Sequence, residues 1–144
     1  MSLHLEIVTP ERKVFSDSVD NVYLPGADGE MGVLTGHAAL VSAMEAGELR
    51  YSKEGKITEL AVGHGFAEVT QEKVTVLTDV AFEEDQIDES AVEEAMKRAE
   101  ETLENIDPAE AEEMAAQQKV IASAMAQLAL KKKRKMLSTK RRTS

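Results

Sequence analysis

As far as about Asp85, apolar residues recur at every second position. Leu3/Leu5/Ile7, Val19/Asn21/Tyr23, Val22/Leu24, Leu49/Tyr51 and Val74/Val76 each fit a half-buried strand, whose side chains point alternately to opposite faces. Turn chemistry interrupts the pattern every several residues, at Thr9-Pro10, Ser16-Asp17, Pro25-Gly26, Glu54-Gly55 and Gly63 to Gly65. Many short strands with Gly-rich turns and no helix between them predict a sandwich or barrel. All five aromatics (Phe15, Tyr23, Tyr51, Phe66, Phe82) fall in this half and are expected to fill its core.

After Asp85 glycine disappears and the period changes. Ile87, Ala91, Val92, Ala95, Met96, Ala99, Leu103 and Ile106 make one helical stripe, with Asp88 as N-cap or Ser90 and Glu93 as a capping box. Asn105-Ile106-Asp107-Pro108 breaks it. Asp107 is the expected next N-cap, with Pro108 at N1 and Glu110 completing a second box. Met114, Gln118, Ile121, Met125 and Leu128 then follow as an a/d-like seam. A short link between two amphipathic helices predicts an antiparallel hairpin. The seam is rich in alanine (Ala91, Ala95, Ala99, Ala111, Ala115, Ala122, Ala129), and one methyl contributes only ~0.8 kcal/mol when buried, so docking is expected to be weak. The second helix, 109 to about 136, would span about 42 Å. The expected organisation is a β-sandwich over 1–85, an α-helical hairpin over 86–136 and a flexible basic tail over 137–144.

Charge sharpens this division. The net charge of −10 splits into −10 over residues 1–85, −9 over 86–118 and +9 over 119–144, where nine bases meet no acid. Such end-loading suits a tail that finds an acidic partner; solubility and cations at a helix C-terminus account for it equally well. The 144 residues contain no cysteine, which excludes disulfide and thiolate chemistry and suits a reducing compartment. The N-terminus alternates at once as a strand, so no signal or transit peptide is expected. The longest apolar-leaning run, Val120 to Leu130, falls short of the ~20 residues that span a bilayer, so any membrane link would run through a partner, without direct insertion.

The densest signal lies at residues 24–50. Leu24-Pro25-Gly26-Ala27-Asp28-Gly29-Glu30-Met31-Gly32-Val33-Leu34-Thr35-Gly36-His37-Ala38-Ala39-Leu40 closes with Ala46-Gly47-Glu48-Leu49-Arg50, and holds five of the eight glycines. No Gly-Lys-Ser/Thr follows, so this is no phosphate loop. The stretch resembles the fingerprint of the epsilon subunit of F-type ATP synthase. A second match runs from Ala61-Val62-Gly63-His64-Gly65-Phe66 into Val74-Thr75-Val76-Leu77-Thr78-Asp79, and the likeness extends from Leu3 to about Leu130. Thr35 and Ala39 stand where the family commonly has proline, and His64 where it has glycine.

The resemblance implies a central-stalk rotor subunit that couples proton-driven rotation to ATP synthesis. Its sandwich would bind the gamma subunit and the membrane rotor ring of c subunits. Its hairpin would extend into the catalytic alpha/beta hexamer and block ATP hydrolysis. The residues implied for the ring contact are Glu30, Met31 and His37; Glu30-Met31 would sit on a turn between Gly29 and Gly32 with both side chains projecting. The residues implied for the inhibitory contact are Lys131, Lys132, Lys133, Arg134 and Lys135. Some relatives bind ATP through Ile/Leu-Asp, two residues, Arg-Ala. Here Ile87-Asp88 and a later Arg98 match, but Ala91 and Val92 replace the Arg-Ala pair, so weak or no ATP binding is expected. The setting implied is the cytoplasmic face of a bacterial membrane, or the stromal face of a plastid thylakoid.

No catalytic constellation accompanies these motifs. The three histidines lack ligand spacing, the serines lack an elbow, and the acids of 83–113 fall on a solvated helical face. Neither a cofactor nor a metal is expected. The basic cluster lacks aromatics to stack on bases and sits beside an acidic sandwich, which disfavours nucleic acid. The alternative from another class is a free-standing sandwich adaptor with a coiled-coil hairpin, which would be stable alone and capture no rotary subunit.

Overall fold

A computed structural model describes residues 3–143, with side chains described from 3 to 137. Ten strands come first: β1 (Leu3–Val8), β2 (Lys13–Val19), β3 (Asn21–Gly26), β4 (Gly29–Leu34), β5 (Leu40–Met44), β6 (Gly47–Lys53), β7 (Lys56–Val62), β8 (Gly65–Val69), β9 (Lys73–Thr78) and β10 (Ala81–Glu83). A 3-10 turn (Glu84–Gln86) leads to helices α1 (Glu89–Asn105) and α2 (Ala111–Thr143). The architecture is the expected sandwich followed by a two-helix hairpin.

The strands form one hydrogen-bonded path, β10-β7-β6-β3-β5-β8-β9-β1-β2, with β4 on β3. Neighbours are antiparallel except β1 and β9, which run parallel. The path folds back on itself. Phe15 of β2 stacks on Tyr51 of β6 with ring centroids 4.5 Å apart, and Asp17 of β2 pairs with Lys53 of β6. The period-two residues Leu3, Leu5, Ile7, Val22, Leu24, Leu49, Val74 and Val76 are fully buried between the layers. Gly65 is required where the neighbouring strands β8 and β9 come close: a Cβ there would overlap the Leu77 carbonyl oxygen, which as main chain cannot step aside. Gly29 closes the β3–β4 hairpin at φ +120, a region closed to L side chains.

Two strand-level expectations change. Val19, Asn21 and Tyr23 do not share a face, because Asp20 is a break between β2 and β3 that resets the alternation. Of the aromatics, Tyr51 is buried and Phe15 packs at its edge, but Tyr23 is 37% and Phe66 60% exposed. Phe66 is out of phase with Ala67 and Val69, which occupy the inward positions of β8.

In the hairpin, Asp88 caps α1 by accepting the Ala91 N–H at 3.2 Å. The next helix opens later than expected. Asp107 accepts from the Ala109 and Glu110 N–H groups in a separate turn, and the first α-helical bond runs from Met114 N–H to the Glu110 carbonyl. The α2 seam is Met114, Gln117, Ile121, Ala124, Leu128 and Lys131; Gln118 and Met125, expected in it, are exposed. Ala99 of α1 and Ala124 of α2 are both buried, and such small residues let helices approach closely. Of the alanines expected in the seam, Ala91, Ala111, Ala115 and Ala129 face solvent. α2 continues past 136 to Thr143, so the basic end is helical where a flexible tail was expected; no Gly or Pro follows Pro108, and terminal cations favour a helix C-terminus. Residue 144 and the side chains of Lys140, Arg141 and Arg142 lie outside the described residues.

Two apolar clusters result. The sandwich core contains only residues from Leu3 to Ala81. A small second cluster, Ala61, Ile87 and Leu130 with Phe82, Val92 and Ala126 against it, joins the hairpin to β7. Hairpin docking therefore adds nothing to the sandwich core itself.

Candidate functional site

The basic segment of α2 lies against the sandwich. Residues four apart share a helix side, so Lys131 and Lys135 both reach the start of the hairpin. Lys131 Nζ lies 3.0 Å from Glu84 Oε1 and donates to the Glu84 carbonyl at 3.1 Å; Lys135 Nζ lies 2.6 Å from Glu89 Oε2. Lys133 turns to the other side and sits between two strands, 3.0 Å from Glu48 Oε1 on β6 and 3.0 Å from Glu59 Oε2 on β7. Those two acids are diagonal neighbours, since Arg50 pairs with Glu59 and Glu48 with Ala61. Leu130, one turn back on the sandwich side, is buried. Lys132 and Arg134 are exposed and make no ion pair among the described residues.

Proximity shifts the charges of this triad. Burial and the neighbouring Glu59 push Glu48 above the ordinary carboxylate value. Glu59 is held below it, chiefly by the hydrogen bond with Glu48 and then by Lys133. For Lys133 burial works against the charge, but the hydrogen bonds to Glu59 and Glu48 overcome it and raise the ammonium above its ordinary value. One cation thus bridges two neighbouring carboxyl groups.

The three residues expected at the ring contact separate. Glu30 is exposed at the start of β4 and accepts from Arg50 at 3.1 Å, while the Arg50 guanidinium lies 4.8 Å over the Tyr23 ring. Met31 does not project: it is half-buried against the sandwich core, because adjacent strand residues point opposite ways. His37 lies beyond the far end of β4, its Nδ1 at 2.8 Å from the Ala38 carbonyl oxygen. Glu30 and His37 therefore flank opposite ends of a strand that pairs with β3 alone.

Asp88 and Arg98 also part. Asp88, with Phe82, Ala91, Val92, Val120 and Ala124, lines an apolar cavity of about 560 Å³ between hairpin and sandwich, while Arg98 lines a different hollow with Glu101, Asp107 and Glu110. Asp88 is moreover engaged as a cap. No cluster of three His, Asp or Glu side chains suited to a metal ion occurs among the described residues. Nor is any helix among them long and apolar enough to cross a membrane.

One surface went unread in the sequence. On the outer face of β5, β8 and β9, Val41 (71% exposed), Phe66 and Leu77 (52%) lie together, with Phe66 directly opposite Leu77. A clustered apolar face of this kind marks a docking surface. The signal was present as Phe66 and Glu68 alternating with Ala67 and Val69, which places Phe66 outside.

Residues 2–84 match the family described as ATP synthase, Delta/Epsilon chain, beta-sandwich domain. The chain is 48% identical over 99 residues to the ATP synthase epsilon chain of Desulforamulus reducens, covering 69% of this chain and 75% of that one. It is 44% identical over 106 residues to the epsilon chain of Geotalea daltonii, covering 74% and 77%. Among solved structures it is similar to a chain of the Euglena gracilis mitochondrial ATP synthase (OSCP/F1/c-ring), with TM-score 0.72, 23% identity and coverage of 89% and 80%, a likeness of fold. With its sandwich matched by the family and 69–74% of the chain aligned with bacterial epsilon chains, the chain belongs to the epsilon-chain family of ATP synthase, non-catalytic subunits of the complex's central stalk.

Proposed function

We propose that the chain works in two parts, divided near residue 85. The sandwich seats on the gamma subunit and the membrane rotor ring, and so helps couple proton-driven rotation to ATP synthesis. The hairpin leaves the sandwich, extends along gamma and slows ATP hydrolysis by presenting residues 131–135 to an acidic surface of the alpha/beta hexamer. The setting is the cytoplasmic face of a bacterial membrane.

The observation that carries this reading is the separation of the two apolar clusters. A hairpin held by Ala61, Ile87, Leu130 and their few neighbours can leave while the sandwich core stays whole. The exposed Val41–Phe66–Leu77 face supports docking on gamma, and β4, with Glu30 at its start, Met31 behind it and His37 beyond its far end, supports the ring contact. Dispersal of Asp88 and Arg98 supports weak or no nucleotide binding at the hairpin. The test is ATP hydrolysis by the assembled complex carrying the chain cut after Asp85. A faster rate is expected; an unchanged rate with the complex intact would make the helices purely structural.

A further inference from the structure

We propose that Lys131, Lys133 and Lys135 are a latch, holding the docked hairpin on Glu84, the Glu48/Glu59 pair and Glu89, so that they must give up these pairs to bind an acidic partner. The part concerning the partner rests on the brake proposed above; the latch itself does not.

The geometry is specific. Acids from β6, β7, the 3-10 turn and α1 converge on a five-residue stretch and pair with its odd-numbered lysines; Lys132 and Arg134 make no ion pair among the described residues, although Arg134 lines the same hollow as Lys133. The remaining charges nearby are otherwise engaged or peripheral: Arg50 is paired with Glu30, and Lys56, Glu83, Asp85 and Arg134 rim the hollow beside Lys133. Glu93 adds a further negative charge near Lys135. When the hairpin departs, Glu48 and Glu59 are left facing each other without their cation, so the docked form is favoured until a stronger acidic surface competes for Lys133. Two readily accessible cations, Lys132 and Arg134, remain free to make the first contact with that surface before the latch opens.

The test uses the full-length chain with Glu48→Gln and Glu59→Gln, which removes the two acids that hold Lys133 and leaves Glu84, Glu89 and every lysine in place. Amide hydrogen exchange over residues 120–137 is expected to rise about five- to tenfold, since each partly exposed ion pair is worth only a small factor. Added salt should raise exchange in the parent and by a smaller factor in the variant, which keeps the Lys131–Glu84 and Lys135–Glu89 pairs. A control with Glu11→Gln and Glu72→Gln makes the same charge change in distant turns and should leave exchange as it was. Unchanged protection in the double variant, or equal acceleration in the control, would overturn the latch. Protection of β1, β8 and β9 in the same data reports whether the sandwich has stayed folded.

Reconstituted complexes separate the two proposals. With the latch weakened and the cations intact, hydrolysis should be slower than in the parent complex. If exchange rises and hydrolysis does not change, the latch stands and the brake fails. If truncation after Asp85 speeds hydrolysis but the double variant leaves exchange unaltered, the brake stands and the latch fails.

Discussion

Leu130→Ala isolates the apolar part of hairpin docking. Leu130 is 5% exposed and packs in the small cluster with Ala61 and Ile87, outside the sandwich core. The substitution removes three carbons, which at ~0.8 kcal/mol each is about 2.4 kcal/mol of burial. A cavity term adds little if the helix can settle inward, so a loss of about 2–3 kcal/mol is expected for the docked state. That lowers the docked-to-undocked ratio by roughly 30- to 150-fold, since 1.4 kcal/mol is a factor of ten. A single partly exposed ion pair contributes about 0.2–1 kcal/mol, so Leu130 outweighs any one of the lysines. Hydrogen exchange resolved by segment is the assay. Residues 111–137 should lose protection while β1, β8 and β9 keep theirs. Protection of α2 within twofold of the parent, or equal loss across the sandwich, would show that docking and core are one cooperative unit and refute the reasoning.

Other outcomes follow from the same structure. Gly65→Ala places a Cβ on the Leu77 carbonyl and should lower the melting temperature of the sandwich with a cost above ~2 kcal/mol, read by thermal unfolding. Phe66→Ser with Leu77→Ser alters side chains already exposed, so it should leave that melting temperature nearly unchanged and still weaken capture of the gamma subunit in co-purification. The pH response is set by the triad. Glu59, lowered from 4.5, supports docking fully above that value and ceases to as pH falls through its own lower one; Lys133, raised from 10.5, supports it fully below that value and ceases to only as pH rises beyond its own higher one. Glu48 acts in the opposite sense to Glu59, because its raised value makes the charged form costly and protonation relieves that cost. Exchange of α2, corrected for intrinsic rates, should therefore be flat across neutral pH and rise steeply only in acid below 4.5. A transition near neutrality would contradict this assignment.

The sequence announced the two halves plainly, for physical reasons visible in single residues. Leu3, Leu5 and Ile7 alternate because one sheet face is buried, and Asp88 sits where α1 needs an acceptor for its free N–H groups. What it concealed depends on contacts distant in the chain. Nothing local to Lys133 reveals that Glu48 and Glu59 are diagonal neighbours on β6 and β7, since that follows from strand register. Met125 was expected in the seam from its spacing, yet the buried position is Ala124, one residue earlier, and Met125 is exposed. Met31 beside glycines suggested an exposed tip; extension of β4 to Gly29 turned it inward and left Ala27 and Asp28 at the bend. Asp107 carries the signature of an N-cap and is used instead in a turn that precedes α2. The basic segment itself was found from charge alone, but its division into paired and unpaired cations needed the fold.

The central claim is that release of the hairpin from the sandwich is what slows hydrolysis. The chain has no cysteine, so Ala61→Cys with Ala126→Cys introduces a single crosslink between β7 and α2 at the apolar cluster they share. ATP hydrolysis is then compared in one assembled complex before and after reduction. The account predicts fast hydrolysis while the crosslink holds the hairpin down, and a fall to the slower parent rate once it is reduced. Equal rates in the two states, with crosslinking shown to be complete, would contradict it.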